Sequence, residues 1–304
     1  IKDRLWARIQ GWLEHFLSMK GKEILVKSVA QAIPAYAMGC FDLTKGLCEE
    51  LSKMICKYWW SQQSDENKMH WLGWDKMKLP KEQDGLGFRD LYSFNLSMLA
   101  RQAWRLLQAP ESLCARVLQA KYYPGSNILS AVSTPNMSYT WRSILKGLAI
   151  VREGYIWRVG SGESINIWTD PWLPRKMSRH TLSQQGTHLL TRVSELIEPN
   201  THTWDEGLVR HTFLPMEASI ILSIPVFEQH DDFIAWHFDA KGLFSVKSAY
   251  CVHTDMMMRQ SNISQGDSVA GSGWRKAVWA AIWKVHCPGK VHHFMWRFGH
   301  NSHR

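Results

Sequence analysis

The sequence predicts a mainly helical α+β protein: a helical bundle, a smaller region with β-hairpins, then a truncated helical segment. Three observations support that class. Apolar residues recur at spacings of three and four through the first sixty residues and again in later helical stretches. From residue 155 short alternating runs replace that spacing. Helical spacing returns from Trp274 and meets no stop signal before Arg304.

Residues 1–62 read as three helices. The first carries Leu5, Ile9, Trp12, Leu13, Phe16 and Leu17 on one stripe, and Gly21 punctuates its end. The second starts near Lys22, carries Ile24, Leu25 and Val29, and should stop or kink at Pro34, which lacks the N–H that the helix ladder needs. Thr44 is placed to cap the third, whose Leu47, Leu51, Met54, Ile55 and Tyr58 share a face. A polar "SQQSDENK" stretch and the turn-bearing "KLPKEQDGLGFRDL" mark a boundary. Residues 63–150 then form a helical connection region. Its strongest helix is "LYSFNLSMLARQAWRLLQ", ended by Pro110, with further helices from Glu111 to about Lys121 and in "TWRSILKGLAIV".

In residues 151–260 two hairpins can be drawn. One joins "YIWRV" to "SINIW" through a Gly160–Gly162 turn, with both glycines at positive φ; the other pairs Phe233–Phe238 with Leu243–Val246 across "DAKG". A helix follows near Lys247. Residues 261–273 are Ser/Gly-rich and read as a flexible linker. Residues 274–304 open another unit, whose last helix should bury Val291, Phe294 and Phe298.

Composition narrows the function classes. The 304 residues are 45% hydrophobic, enough for about two domains with real cores. No run approaches the roughly 18 apolar residues of a membrane helix, and no signal-peptide pattern opens the chain. The expectation is a soluble intracellular protein, nuclear or cytoplasmic. Six cysteines without a C-x-x-C pair argue for reduced thiols in packed helices. The seventeen tryptophans are expected mainly as core or interface anchors. The net charge of +9 suits a polyanionic partner, and it is uneven: +3, +4 and +5 over residues 1–60, 61–150 and 261–304, against −3 over 151–260.

Catalytic motifs fail on spacing. Ile165 stands where G-x-G-x-x-G needs its last glycine, and neither Ser161 nor Ser164 has the flanking glycines of a nucleophile elbow. Asp231 and Asp232 follow Gln229 and His230 rather than the aromatic and small residues of a polymerase box, so they read as a solvated acidic loop. His286, Cys287, His292, His293, His300 and His303 lack the paired spacing of a zinc site. For nucleic acid, "SMKGKEILVK" sets Lys20 and Lys22 around Gly21 at a helix start, where free N–H groups favour phosphate. Lys27, Arg101 and Arg105 could extend that patch. A solvated basic face fits the same spacing equally well.

The segments "SMKGKEILVKSVAQAIPAYAMGCF", "HWLGWDKMKLPKEQDGLGFRDLYSFNLSMLARQAWRLLQAPESL", "AKYYPGSNIL", "SYTWRSILKGL", "WRVGSGESINIWTDPWLP", "GLFSVKSAY" and "IWKVHCPGKVHHFMWR", in that order and over nearly the whole chain, resemble the C-terminal part of plant LINE-type (non-LTR) retrotransposon reverse transcriptases. The resemblance implies thumb-like helices over residues 1–62 and the start of the family's zinc-binding domain at 274–304. It implies no catalytic residue, metal ligand or cofactor in this chain. The family's Mg²⁺ would sit in an upstream palm and its zinc in the remainder of the zinc-binding domain. The chain, which begins at Ile1, is then expected to be a fragment or degenerate copy with no activity alone. Its partners would be RNA template, DNA primer and the palm, gripped without sequence preference through Lys20, Lys22, Lys27, Arg101 and Arg105. The competing expectation is a structural or protein-interaction scaffold that docks the palm or a host partner through Trp-rich surfaces, and on either reading Trp157, Trp168 and Trp172 pack or dock rather than carry chemistry.

Overall fold

The computed structural model of the protein describes residues 1–13, 17–61, 72–175, 178–186, 189–227, 230–265 and 273–300. Phe16, His303, "QQSDENK" and the middle of the Ser/Gly-rich run lie outside them. The mainly helical α+β class is observed, with thirteen α-helices and one two-stranded sheet among the described residues. The chain forms two compact units from separated stretches: residues 1–103, 132–148 and 253–304, and residues 104–131 and 149–252.

The first unit contains α1 (Lys2–Leu13), α2 (Met19–Leu25), α3 (Ala35–Met38), α4 (Lys45–Trp60) and α5 (Trp74–Lys78). It also holds most of α6 (Leu91–Gln108), the start of α8 (Tyr139–Gly154), the end of α11 (Val246–Gln265), α12 (Gly273–Lys284) and α13 (Gly289–Gly299). Its core buries Leu5, Ile9, Leu51, Ile55, Tyr58 and Trp59, so the predicted stripes of α1 and α4 do face inward. Thr44 caps α4, accepting from the Leu47 N–H at 3.3 Å. The second helix starts earlier than expected. Ser18 accepts from the Gly21 N–H at 3.2 Å, so α2 begins at Met19 and Gly21 lies inside its first turn. A turn of π-helix at Val26–Ala30 follows, and Pro34 marks the entry to α3.

Buried Asn95 fixes the chain before α4 by donating to the carbonyls of Met38 and Phe41, both at 2.8 Å, and accepting from the Leu43 N–H at 2.7 Å. Gly147 allows α8 against α6, because a Cβ there would stand 2.3 Å from the Ala100 nitrogen. The last helix reverses its expected orientation: His293 and Trp296 are buried, while Val291, Phe294 and Phe298 are exposed. The physical reason is a partner for His293, the buried carboxylate of Glu23 on α2.

In the second unit lie α7 (Leu113–Tyr122), β1 (Tyr155–Arg158), α9 (Glu206–Thr212), α10 (Pro215–Ser223) and β2 (Phe233–Trp236). Neither expected hairpin forms. β1 pairs antiparallel with β2, Tyr155 opposite Trp236 and Arg158 opposite Phe233. The turn after β1 wraps instead around Asp232, whose carboxylate accepts the N–H groups of Gly160 at 2.7 Å, Gly162 at 2.9 Å and Ser164 at 2.8 Å. Asp232 is thus a structural anchor rather than part of a merely solvated loop. Gly162 has φ +78°, as expected, but Gly160 is needed for closeness: a Cβ there would lie 2.2 Å from the His230 carbonyl oxygen. β2 has no second hairpin partner because Phe244 stacks on Trp104 and meets Trp236 edge-on, and α11 begins at Val246. Trp172 is buried and donates to the Ile167 carbonyl at 3.0 Å, while Trp168 donates to that of Leu190 at 2.7 Å. Both are packing groups.

Candidate nucleic-acid interface

Two of the three predicted lysines, Lys20 and Lys27, gather around one carboxylate in the first unit. Lys20 stands three residues before Glu23 in α2, and Lys27 follows it by four in the π-helical turn, so helical geometry alone brings both ammonium groups to it. Their distances to Glu23 are 2.9 Å and 2.7 Å. Two further groups arrive from far along the chain. Lys81, in the turn after α5, reaches Glu23 at 3.1 Å, and His293 of α13 at 2.9 Å. Each oxygen takes two partners: Oε1 meets Lys27 and Lys81, Oε2 meets Lys20 and His293.

Glu23 is only 3% exposed. Burial by itself would raise its pKa, but the hydrogen bonds from His293, Lys27 and Lys20 outweigh that and hold the carboxyl far below the usual range. Burial pushes the Lys27 ammonium down, reinforced by its neighbours Lys81 and Lys20 and opposed by Glu23. Three ammonium groups around one carboxylate leave a fixed excess of positive charge. Lys27 also donates to the Leu86 carbonyl at 2.6 Å, and Lys81 lies 4.1 Å above the Trp283 ring.

Lys22 points elsewhere. It is buried, and its ammonium donates to the carbonyls of Tyr58 and Ser61 at the end of α4, where a cation suits the helix terminus. Arg101 and Arg105 stand one turn apart on α6, both exposed, and no hydrogen bond or ion pair among the described residues joins either to the Glu23 cluster. Gly289 starts α13 directly on Lys20, since a Cβ there would lie 2.9 Å from Lys20 Cγ. Glu23 was readable from the Lys-x-x-Glu-x-x-x-Lys spacing. Lys81 and His293 carry no local signal, because only the tertiary fold brings them there.

Among the described residues no three His, Cys, Asp or Glu side chains converge as metal ligands. His293 is taken by Glu23, and the His300 ring stacks on Trp279. No described cysteine is in a disulfide; Cys48 and Cys56 are buried and Cys114 and Cys251 exposed. No described helix is long and apolar enough to cross a membrane.

The site and fold together define a basic, mainly helical protein of two units. Across 99% of its length the chain is 30% identical to an Arabidopsis thaliana protein named ribonuclease H protein, and it spans about half (48%) of that relative. A second Arabidopsis thaliana relative, named uncharacterized mitochondrial protein, is 38% identical over 143 residues, which is 47% of this chain and 93% of the relative. The chain belongs to the family of that mitochondrial protein. No protein-family model matches it, and no solved structure matches it.

Proposed function

We propose that the chain is a retroelement-derived, non-catalytic region of a reverse transcriptase that holds template and primer through the phosphate backbone. The observation that carries the binding role is the excess of ammonium groups ordered on buried Glu23. Positive charge held in place attracts phosphate without reading base sequence. The sequence segments that resemble plant LINE-type reverse transcriptases, and the relative named ribonuclease H protein, support the retroelement origin. In this reading Lys20, Lys27 and exposed Arg101 contact phosphates from the first unit, exposed Arg105 does so separately from the second, and Lys22 braces α2 on the end of α4. Filter binding of an RNA–DNA hybrid at two salt concentrations tests it. Each neutralised phosphate contributes about 0.7 to 0.9 to the slope of log affinity against log salt. Absent or salt-insensitive binding refutes the proposal.

A protein-docking scaffold is the second reading, favoured by exposed apolar side chains such as Leu189 at 93% and Tyr36 at 88%. Self-association in sedimentation, together with absent nucleic-acid binding, would select it.

A further inference from the structure

The cleft between α2 and α13 carries a second kind of chemistry beside the lysine cluster. It encloses about 280 Å³ and is lined by Lys20, Lys290, Arg297, Met19 and Phe294, with three cations and no carboxylate among its lining residues. Glu23, the nearest acid partner of Lys20, is buried beneath with both oxygens occupied. Lys290, Phe294 and Phe298 fall four residues apart along α13 and share one stripe, with Arg297 beside it, three residues after Phe294. Phe294 and Phe298 are each 61% exposed, and their rings lie 6.3 Å apart at 27° to one another. Two exposed aromatic rings in a run of cations are costly in water, and they match a ligand that is both anionic and flat-faced.

We infer that this cleft binds single-stranded nucleic acid, with Lys20, Lys290 and Arg297 on the phosphates and Phe294 and Phe298 as a platform for unpaired bases. A duplex keeps its bases stacked on each other and can use only the cations; a single strand can use both parts. The charge of the lining excludes a basic or neutral apolar partner as the better fit. The inference rests on the nucleic-acid reading above and assigns it a strand state and a place.

Fluorescence anisotropy on the full chain tests it, with a labelled mixed-sequence single strand and the same sequence as a duplex. Phe294→Ala/Phe298→Ala should weaken single-strand binding about 5-fold or more and duplex binding less than about 2-fold. Phe294→Trp alone should retain binding, since it keeps a stacking face. Lys290→Ala/Arg297→Ala should lower the salt slope on the single strand by about 1.4, from two phosphate contacts. If the wild-type chain binds neither oligonucleotide, the nucleic-acid reading falls and the site with it. If it binds but the aromatic double variant leaves single-strand affinity unchanged, or weakens both ligands equally, this inference alone is overturned. Loss of self-association without loss of nucleic-acid binding would likewise overturn it. Far-UV circular dichroism of the two double variants should match wild type, because all four side chains lie toward the surface.

Discussion

Replacing Glu23 with Gln should destabilise the first unit far more than a surface substitution would. The change keeps one acceptor oxygen but removes the carboxylate that Lys20, Lys27 and Lys81 share. Leaving one side of a buried ion pair uncompensated costs about 3–5 kcal/mol. The lysines are 39%, 32% and 30% exposed, so water relieves part of their repulsion and the lower end applies, about 3 kcal/mol. At about 2–4 °C per kcal/mol for a unit of this size, Tm should fall by roughly 6–12 °C at pH 7. Urea titration and differential scanning fluorimetry read both quantities. The pH dependence has a definite sign. Glu23 has a folded pKa held below its unfolded value of 4.5, so its contribution is complete above that value and is lost as pH falls through and below it. The difference between wild type and Glu23→Gln should therefore be flat from pH 6 to 8 and shrink toward pH 3. A loss under about 1 kcal/mol at pH 7, the scale of an ordinary exposed pair, would mean that Glu23 does not act as a buried counter-charge. A gap that stayed undiminished in acid would mean the same.

In the second unit, Asp232→Ala should cost about 3 kcal/mol or more by leaving three backbone donors without their carboxylate, whereas Asp232→Asn, which retains an acceptor, should cost less; urea unfolding compares the two. Gly154→Ala should lower Tm by several degrees, because its Cβ would come within 2.1 Å of the Trp236 ring, which is itself buried and pinned to Ser248. Burial raises the thiols of Cys48 and Cys56 to about 11, so at pH 7.5 iodoacetamide should modify exposed Cys114 and Cys251 first and reach the buried pair only in urea, as peptide mass spectrometry would show.

The helices were legible because their signals are local. Leu91–Gln108 has the predicted bounds, and Thr44 caps α4 through an interaction only three residues long. The strand pairing was not, since any alternating run can serve β1, and the choice of Phe233–Trp236 is fixed by Asp232 collecting N–H groups about seventy positions away. The same limit explains α13. Apolar periodicity points Val291, Phe294 and Phe298 inward, but a hydrogen-bonded His293–Glu23 pair with Trp296 beside it defines the buried face instead. Of the candidate site, the Lys20–Glu23–Lys27 spacing could be read in advance; Lys81 and His293 could not.

The Glu23–His293 bond also sets a clock. The two residues are 270 positions apart. On a ribosome adding roughly 5–20 residues per second, Glu23 emerges about 15–50 s before its histidine is made. Lys20 and Lys27 can meet it at once and Lys81 soon after, so the carboxylate is guarded by lysines throughout. Residues 149–252 are all synthesised within that interval, so the second unit can complete its fold while the first still waits for α13.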